Sequence, residues 1–269
     1  MNKHLAAVVM AALAGGCAHK QLSGADLDRV VQPAVVSRIE EGAGPRSFVF
    51  RQDGSYSGKL KKLEPKEADR RLMVKLSQGM SRFEISDGLR AKVLALLPKE
   101  APWTQTTDPV AVARELQSFL VEEVPANPPD YQLLAPLGAD AVLELVIEEF
   151  GMRSAGGRAG TYIEGYGRMF FLVDGREVWR RAFRVDQVDA HNPHVDPFRV
   201  AKDPAMFRTE LTTLLDAVAT QFAKDLNPPD RRQGPAMHAG TEKESSPTAP
   251  EKNAPPEVND GELPDPDPL

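Results

Sequence analysis

The chain predicts an α+β domain: a mixed sheet that ends in a three-strand antiparallel meander, helices packed on one face, and a closing C-terminal helix. Three observations predict it. Residues 141–185 read as three consecutive strands separated by strong turn signals. Residues 204–226 carry Phe207, Leu211, Leu214, Leu215, Val218 and Phe222 at helical spacing. Two further helical patterns, near 86–97 and 109–123, precede the meander, so helices have a sheet to cover.

The elements follow in order. Residues 27–39 mix both periodicities and fit helix or strand. Phe48-Val49-Phe50 leads into Asp53-Gly54-Ser55-Tyr56-Ser57-Gly58, a turn-rich loop. Leu72, Val74 and Leu76 alternate with Met73 and Lys75, which predicts a strand. Ser86 or Asp87 caps a helix that carries Leu89, Val93, Leu96 and Leu97 and stops before Pro98. Trp103-Thr104-Gln105-Thr106 is a short extended piece. Asp108 caps a second helix with Pro109 in its first turn, running to about Glu123 with Val112, Leu116, Phe119 and Leu120 as its apolar stripe. Residues 131–137 form a helical turn closed by Gly138. Residues 141–150 are the clearest strand, followed by a turn at Gly156-Gly157. The next strand spans 162–173, with Gly165 and Gly167 marking a bulge or a close backbone approach. Asp174-Gly175 is a hairpin signal, and the third strand, 177–185, sets Trp179, Phe183 and Val185 on one face. Asp203 and Pro204 open the closing helix, which Pro228-Pro229 prevents from continuing.

From residue 228 to 269 the composition changes to Pro, Asp, Glu, Ser, Thr and Ala, with little apolar surface to offset ordering entropy. That predicts a disordered, acidic, Pro-rich tail. The expected organisation is a signal peptide at 1–16, a lipidated cysteine and tether at 17–27, a single α+β domain at 28–227, and the tail at 228–269. The net charge of −6 argues against nucleic-acid binding, which needs a basic face to displace counterions. One cysteine in 269 residues allows no intramolecular disulfide, so an apolar core must hold the domain together.

That cysteine, Cys17, closes the run Leu13-Ala14-Gly15-Gly16-Cys17. Before it stand a small basic region at Lys3 and His4 and about nine apolar residues, inside the ~7–15 of a signal peptide and short of the ~20 of a membrane span. The run resembles the lipobox of bacterial lipoproteins. The resemblance implies a diacylglyceryl thioether and an N-acyl chain on Cys17, hence attachment to the membrane by lipid alone. Ala18 follows, where an aspartate tends to mean inner-membrane retention in Gram-negative lipoproteins. The expected location is therefore the outer membrane, on its periplasmic face. The element order, with Gly138-Ala139-Asp140-Ala141-Val142-Leu143 leading into the central strand, is similar to the small α+β domain of the curli-secretion and penicillin-binding-protein-activator lipoproteins. That likeness covers about residues 72–226 and carries over no functional residue.

No catalytic constellation stands out. Gly54-Ser55-Tyr56-Ser57-Gly58 has tyrosine where a nucleophile elbow needs serine. Gly156-Gly157-Arg158-Ala159-Gly160 lacks the Lys-Ser/Thr ending of a phosphate loop. His191 and His194 lie among Asp189 and Asp196 in a stretch expected to be a solvated loop joining the last strand to the closing helix; Pro193 between them breaks any helical facing, and a metal needs three or four converging ligands. Glu144 and Glu148 are expected on one strand face with Val142, Val146 and Phe150. Opposite them, Arg168, Arg180 and Arg184 are positioned for cross-strand pairs, or for docking an acidic partner. The leading expectation is a non-enzymatic binding or assembly module with no cofactor and no resident metal. It would bind an envelope protein or further copies of itself. The alternatives are a small-ligand or transport-accessory lipoprotein, and a metal-dependent hydrolase built on His191 and His194.

Overall fold

The computed structural model describes residues 19–99, 103, 105–116, 127–189 and 194–227. Residues 1–18, Phe119, Leu120, His191 and 228–269, with the expectations placed on them, lie outside the described residues.

Five strands form one mixed sheet: β1 (Pro33–Ile39), β2 (Arg46–Phe48), β3 (Ala141–Ala155), β4 (Arg158–Phe171) and β5 (Glu177–Asp186). β3 is the spine. β1 and β2 follow one another along one of its edges, both parallel to it, while β4 and β5 complete an antiparallel meander on the other side. Helices α1 (Gly24–Leu27), α2 (Val49–Gln52), α3 (Gly54–Ser57), α4 (Pro65–Gly79), α5 (Arg82–Leu96), α6 (Pro109–Glu115), α7 (Pro197–Lys202) and α8 (Ala205–Leu226) surround it. The α+β class, the meander and the closing helix all match the sequence-based expectation.

The main core lies between the inner face of the sheet and the layer of α4, α5 and α8. All six residues of the predicted α8 stripe are buried there. Trp179 and Phe183 of β5 meet Phe222 edge-to-face, with ring centroids 5.4 and 5.5 Å apart. Gly167 makes room for them: a Cβ there would stand 2.7 Å from the Trp179 ring and 3.0 Å from Phe222. On the other face a smaller cluster packs Val112 and Leu116, at the end of α6, and Tyr131 and Leu134 of a 3-10 turn (Tyr131–Leu137) over Ala34, Val36 and Val142. Gly138 closes that turn at φ +82°, a left-handed conformation that glycine adopts without steric penalty.

The structure corrects four local expectations. Residues 72–76 are helical, not a strand, because they belong to α4. Leu72 and Leu76 line up with Ala68 and Gly79 on the buried stripe, and Val74 points away at 50 % exposure. Leu72 and Leu76 share a face in either periodicity, so that short window does not separate them. The next helix begins at Arg82 rather than after Ser86, because Ser81 and Glu84 form a reciprocal capping box. The loop expected between β5 and α8 carries α7, opened by Asp196 and Pro197 with the same Asp-Pro signal as α6. The last concerns the face of Phe150. The β3–β4 register shifts between Ile147 and Glu149, which leaves Glu148 as the extra residue of a bulge. Alternation resets there, so Phe150 joins Leu143, Leu145 and Ile147 in the main core instead of lying with Glu144.

Candidate functional site

The outer face of the sheet, turned away from α5 and α8, gathers most of the charged residues singled out from the sequence. Register sets Glu144, Arg168 and Arg180 directly beside one another on β3, β4 and β5. The next row holds Arg38, Val146, Tyr166 and Ala182, and beyond it Glu149, Glu164 and Arg184 line up. Arg168, Arg180 and Arg184 therefore share a face, as expected.

Glu144 is fully buried and is the hub. Its carboxylate accepts from Arg38 Nε at 2.7 Å, from the Tyr131 hydroxyl at 2.6 Å and from Arg168 Nε. Burial alone pushes this carboxyl up. The hydrogen bonds from Tyr131, Arg168 and Arg38 outweigh it and hold the group below the usual carboxylate range. Burial, together with the Glu144 charge, pushes the Tyr131 hydroxyl far up, so it stays a donor. Arg38 also donates to the Tyr166 hydroxyl at 3.1 Å. With three donors on it and no exposed surface, the Glu144 carboxylate acts as a clamp that ties β1, β3, β4 and the 3-10 turn together.

The other two arginines are engaged as well. Arg180 pairs with Glu177 at 2.7 Å and lies 4.7 Å over the Tyr166 ring. Arg184 stands 4.0 Å from Glu164 and remains exposed. The three guanidiniums are thus matched by Glu144, Glu177 and Glu164 and do not form a bare cationic patch. Glu148, pushed out by the bulge, is half-buried. Burial, and then the carboxylates of Glu40 and Glu164, push it above the usual range.

β5 is an edge strand, and the segment ahead of α1 meets it. Lys20 and Arg180 exchange both backbone hydrogen bonds at 2.9 Å, and His19 Nδ1 lies 3.2 Å from the Arg180 carbonyl oxygen. Leu22 and Leu27 follow into the main core. The chain emerging from residue 19 is therefore stapled to the sheet before the domain proper begins.

In the histidine loop, His194 is exposed. Asp196 caps α7 by accepting from Phe198 N at 2.9 Å, and Asp189 pairs with Arg153 at 2.5 Å. Among the described residues, no group of three or more His, Cys, Asp or Glu is arranged to hold a metal. No described helix is long and apolar enough to cross a membrane.

Sequence reading reached Glu144 and Arg168 but missed Arg38, Tyr131 and Tyr166. Arg38 left a signal: it is a lone charge inside Pro33–Ile39, a strand buried throughout, and a buried charge demands a partner. Asp140, within the stretch that leads into β3, also has a clear task. It accepts from Val31 N and Gln32 N at 2.5 and 3.1 Å and fastens the start of β1 to the start of β3.

No family model matches the chain, and no curated protein does. Solved structures that are similar to it include two of low sequence identity. One is a Xanthomonas campestris protein assigned to the family model DUF330, with a TM-score of 0.34 and 15% identity over 71% of this chain and 81% of that one. The other is the lipoprotein GNA1162 from Neisseria meningitidis, with a TM-score of 0.34 and 16% identity over 71% of this chain and 99% of that one. A likeness of this degree assigns no function.

Proposed function

We propose that this chain is a lipid-anchored cell-envelope protein whose domain is a non-enzymatic binding or assembly module. In this reading Cys17 carries the lipid, the outer membrane is the host bilayer, and the partner is an envelope protein or a second copy of the chain. One observation carries the choice of surface. No described helix covers the β4–β5 end of the outer face, where Ala182 and Arg184 are exposed beside Tyr166 and Arg180. Tyrosine and arginine are the residue types enriched at the centres of protein interfaces. The arginines are already charge-matched, so the surface suits a partner of mixed charge rather than a strongly acidic one.

The test is an in-cell crosslink from a photoreactive residue at Ala182, read by mass spectrometry. One dominant envelope protein, or adducts between two copies, lost on Arg184→Glu, supports the module. No adduct from either position 182 or position 184 sinks it. The anchor is tested separately: Cys17→Ala should abolish metabolic palmitate labelling, and retained labelling would exclude Cys17 as the lipid site.

A further inference from the structure

A second feature lies in the helix layer, away from the face just described. Between α2, the connection from Gly58 to Glu64, α4 and α7 there is an open cleft of about 490 Å³. Its walls are almost wholly apolar: Phe50, Leu60, Leu63, Leu72 and Phe198. Phe50 and Phe198 meet edge-to-face at 5.5 Å and form its floor from two separate elements. The floor is held rigidly. Asp69, buried on α4, accepts from Ser47 Oγ at 2.5 Å, Phe50 N at 3.1 Å and Arg51 N at 3.2 Å, and so pins α2 against α4.

The rim has the opposite chemistry. Arg70, Arg71 and Lys75 of α4 border the cleft. Residues 58–75 hold seven Lys and Arg against three carboxylates, in a chain whose net charge is −6. One of those carboxylates, Asp69, is buried and turned to Arg51 at 3.1 Å. Another, Glu67, accepts from both Arg70 and Arg71, which orients two guanidiniums side by side and leaves them with excess positive charge. Along 59–63 the leucines line the cleft while Lys59, Lys61 and Lys62 stay exposed.

We infer that this cleft binds a single-chain amphiphile with an anionic head group, the acyl chain lying on Phe50, Leu72 and Phe198 and the head group meeting Arg71 and Lys75. The volume falls within the ~300–1,000 Å³ of ligand clefts. At roughly 30 Å³ for each water-sized group it takes a chain of about fifteen methylenes. An uncharged apolar ligand would leave the cationic rim unused, and a free inorganic anion would leave the apolar walls wet. Charge complementarity and shape together select a molecule with both parts. The inference gives chemical identity to the small-ligand alternative and does not depend on the partner face around Ala182.

The experiment titrates the full chain with a fluorescent acyl probe, dansylaminoundecanoic acid, and then displaces it with palmitate or with hexadecanol. Saturable one-to-one binding, with palmitate displacing the probe about tenfold more effectively than the alcohol, is expected from the charged rim contacts. Val74→Trp, at an exposed position on the cleft border, should block binding while leaving the circular dichroism and the melting midpoint unchanged. The rim double variant Arg71→Gln/Lys75→Gln, at an exposed and a half-buried position, should weaken palmitate by about tenfold and hexadecanol hardly at all. Absence of saturable binding overturns the inference, as does binding indifferent to Val74→Trp. Equal affinity for the alcohol overturns the anionic head group. Recruitment to phosphatidylglycerol vesicles without probe binding would make the patch a membrane-surface contact instead.

Discussion

Glu144 is the residue on which the outer face depends. Removing one partner of a buried ion pair leaves the other charge uncompensated in a poorly solvated place. Glu144→Ala should therefore destabilise the domain by about 3–5 kcal/mol in a urea melt, far more than any exposed carboxylate on the same face. Acidity should report the same contact. The folded-state pKa of Glu144 is lowered, so its contribution is fully present above the unfolded value of about 4.3 and is lost as pH falls through the folded one. Glu148 has the opposite sign. Its pKa is raised, so it penalises the folded state at neutral pH and stops doing so below the unfolded value. Glu148→Gln should then raise the melting midpoint at pH 7 and change it little at pH 4. A midpoint that drops at pH 7 would show that the carboxylate has a stabilising partner.

Elements differ in how far they could be read in advance, and the reason is the distance over which each is specified. α8 repeats its apolar stripe over 22 residues, and Gly138 or Asp174-Gly175 are local turn chemistry. All of these are visible in the chain itself. α4 is specified by contacts at Ala68, Leu72, Leu76 and Gly79, and a window of five residues does not contain that pattern. The bulge at Glu148 leaves no mark within β3 itself; its sign in the sequence is Gly165 on the neighbouring strand, read as a bulge or a close backbone approach. The bulge arises because β3 pairs with β4 across two short segments of different register, with Gly165 opposite Ile147 giving the backbone room. Cooperation between side chains at an element boundary is measurable. Ser81→Ala removes the acceptor for Glu84 N and should cost about 1 kcal/mol of stability. Gly167→Ala should cost about 1–3 kcal/mol by forcing Trp179 or Phe222 off its rotamer, and near-UV circular dichroism should register the move.

At the scale of the molecule, one sheet separates two chemistries. Its inner face and helix layer hold the main core and the apolar cleft with a basic rim. Its outer face holds a small apolar cluster at one end and the matched charges at the other. The sequence made the outer arginines legible as a group, because alternation in β4 and β5 is regular there. It did not show the cleft, whose lining comes from residues 50–75 and from Phe198 and Ala201, joined only by the fold. The staple at β5 is equally a product of folding. Lys20→Pro removes the Lys20 N–H that donates to the Arg180 oxygen and so opens the pair, and the Arg180 N–H, which donates to the Lys20 oxygen, should lose protection from hydrogen exchange while the global midpoint stays nearly constant. An Arg180 amide that already exchanges freely in the unsubstituted chain would mean that the bridge does not persist in solution.

The staple also sets a length. In the proposed lipid-anchored reading, three residue steps separate an acyl group on Cys17 from the hydrogen-bonded Lys20, and they span at most about 10 Å even when fully extended. Such a tether would leave the domain little freedom to wander from the bilayer. The β5 edge, and with it Ala182 and Arg184, would ride almost at the level of the lipid head groups. A partner for that surface must then itself lie close to the membrane plane. Lengthening the leash with a flexible insert between residues 18 and 19 is a direct way to ask whether height above the lipid, rather than contact chemistry alone, decides which neighbours the protein meets.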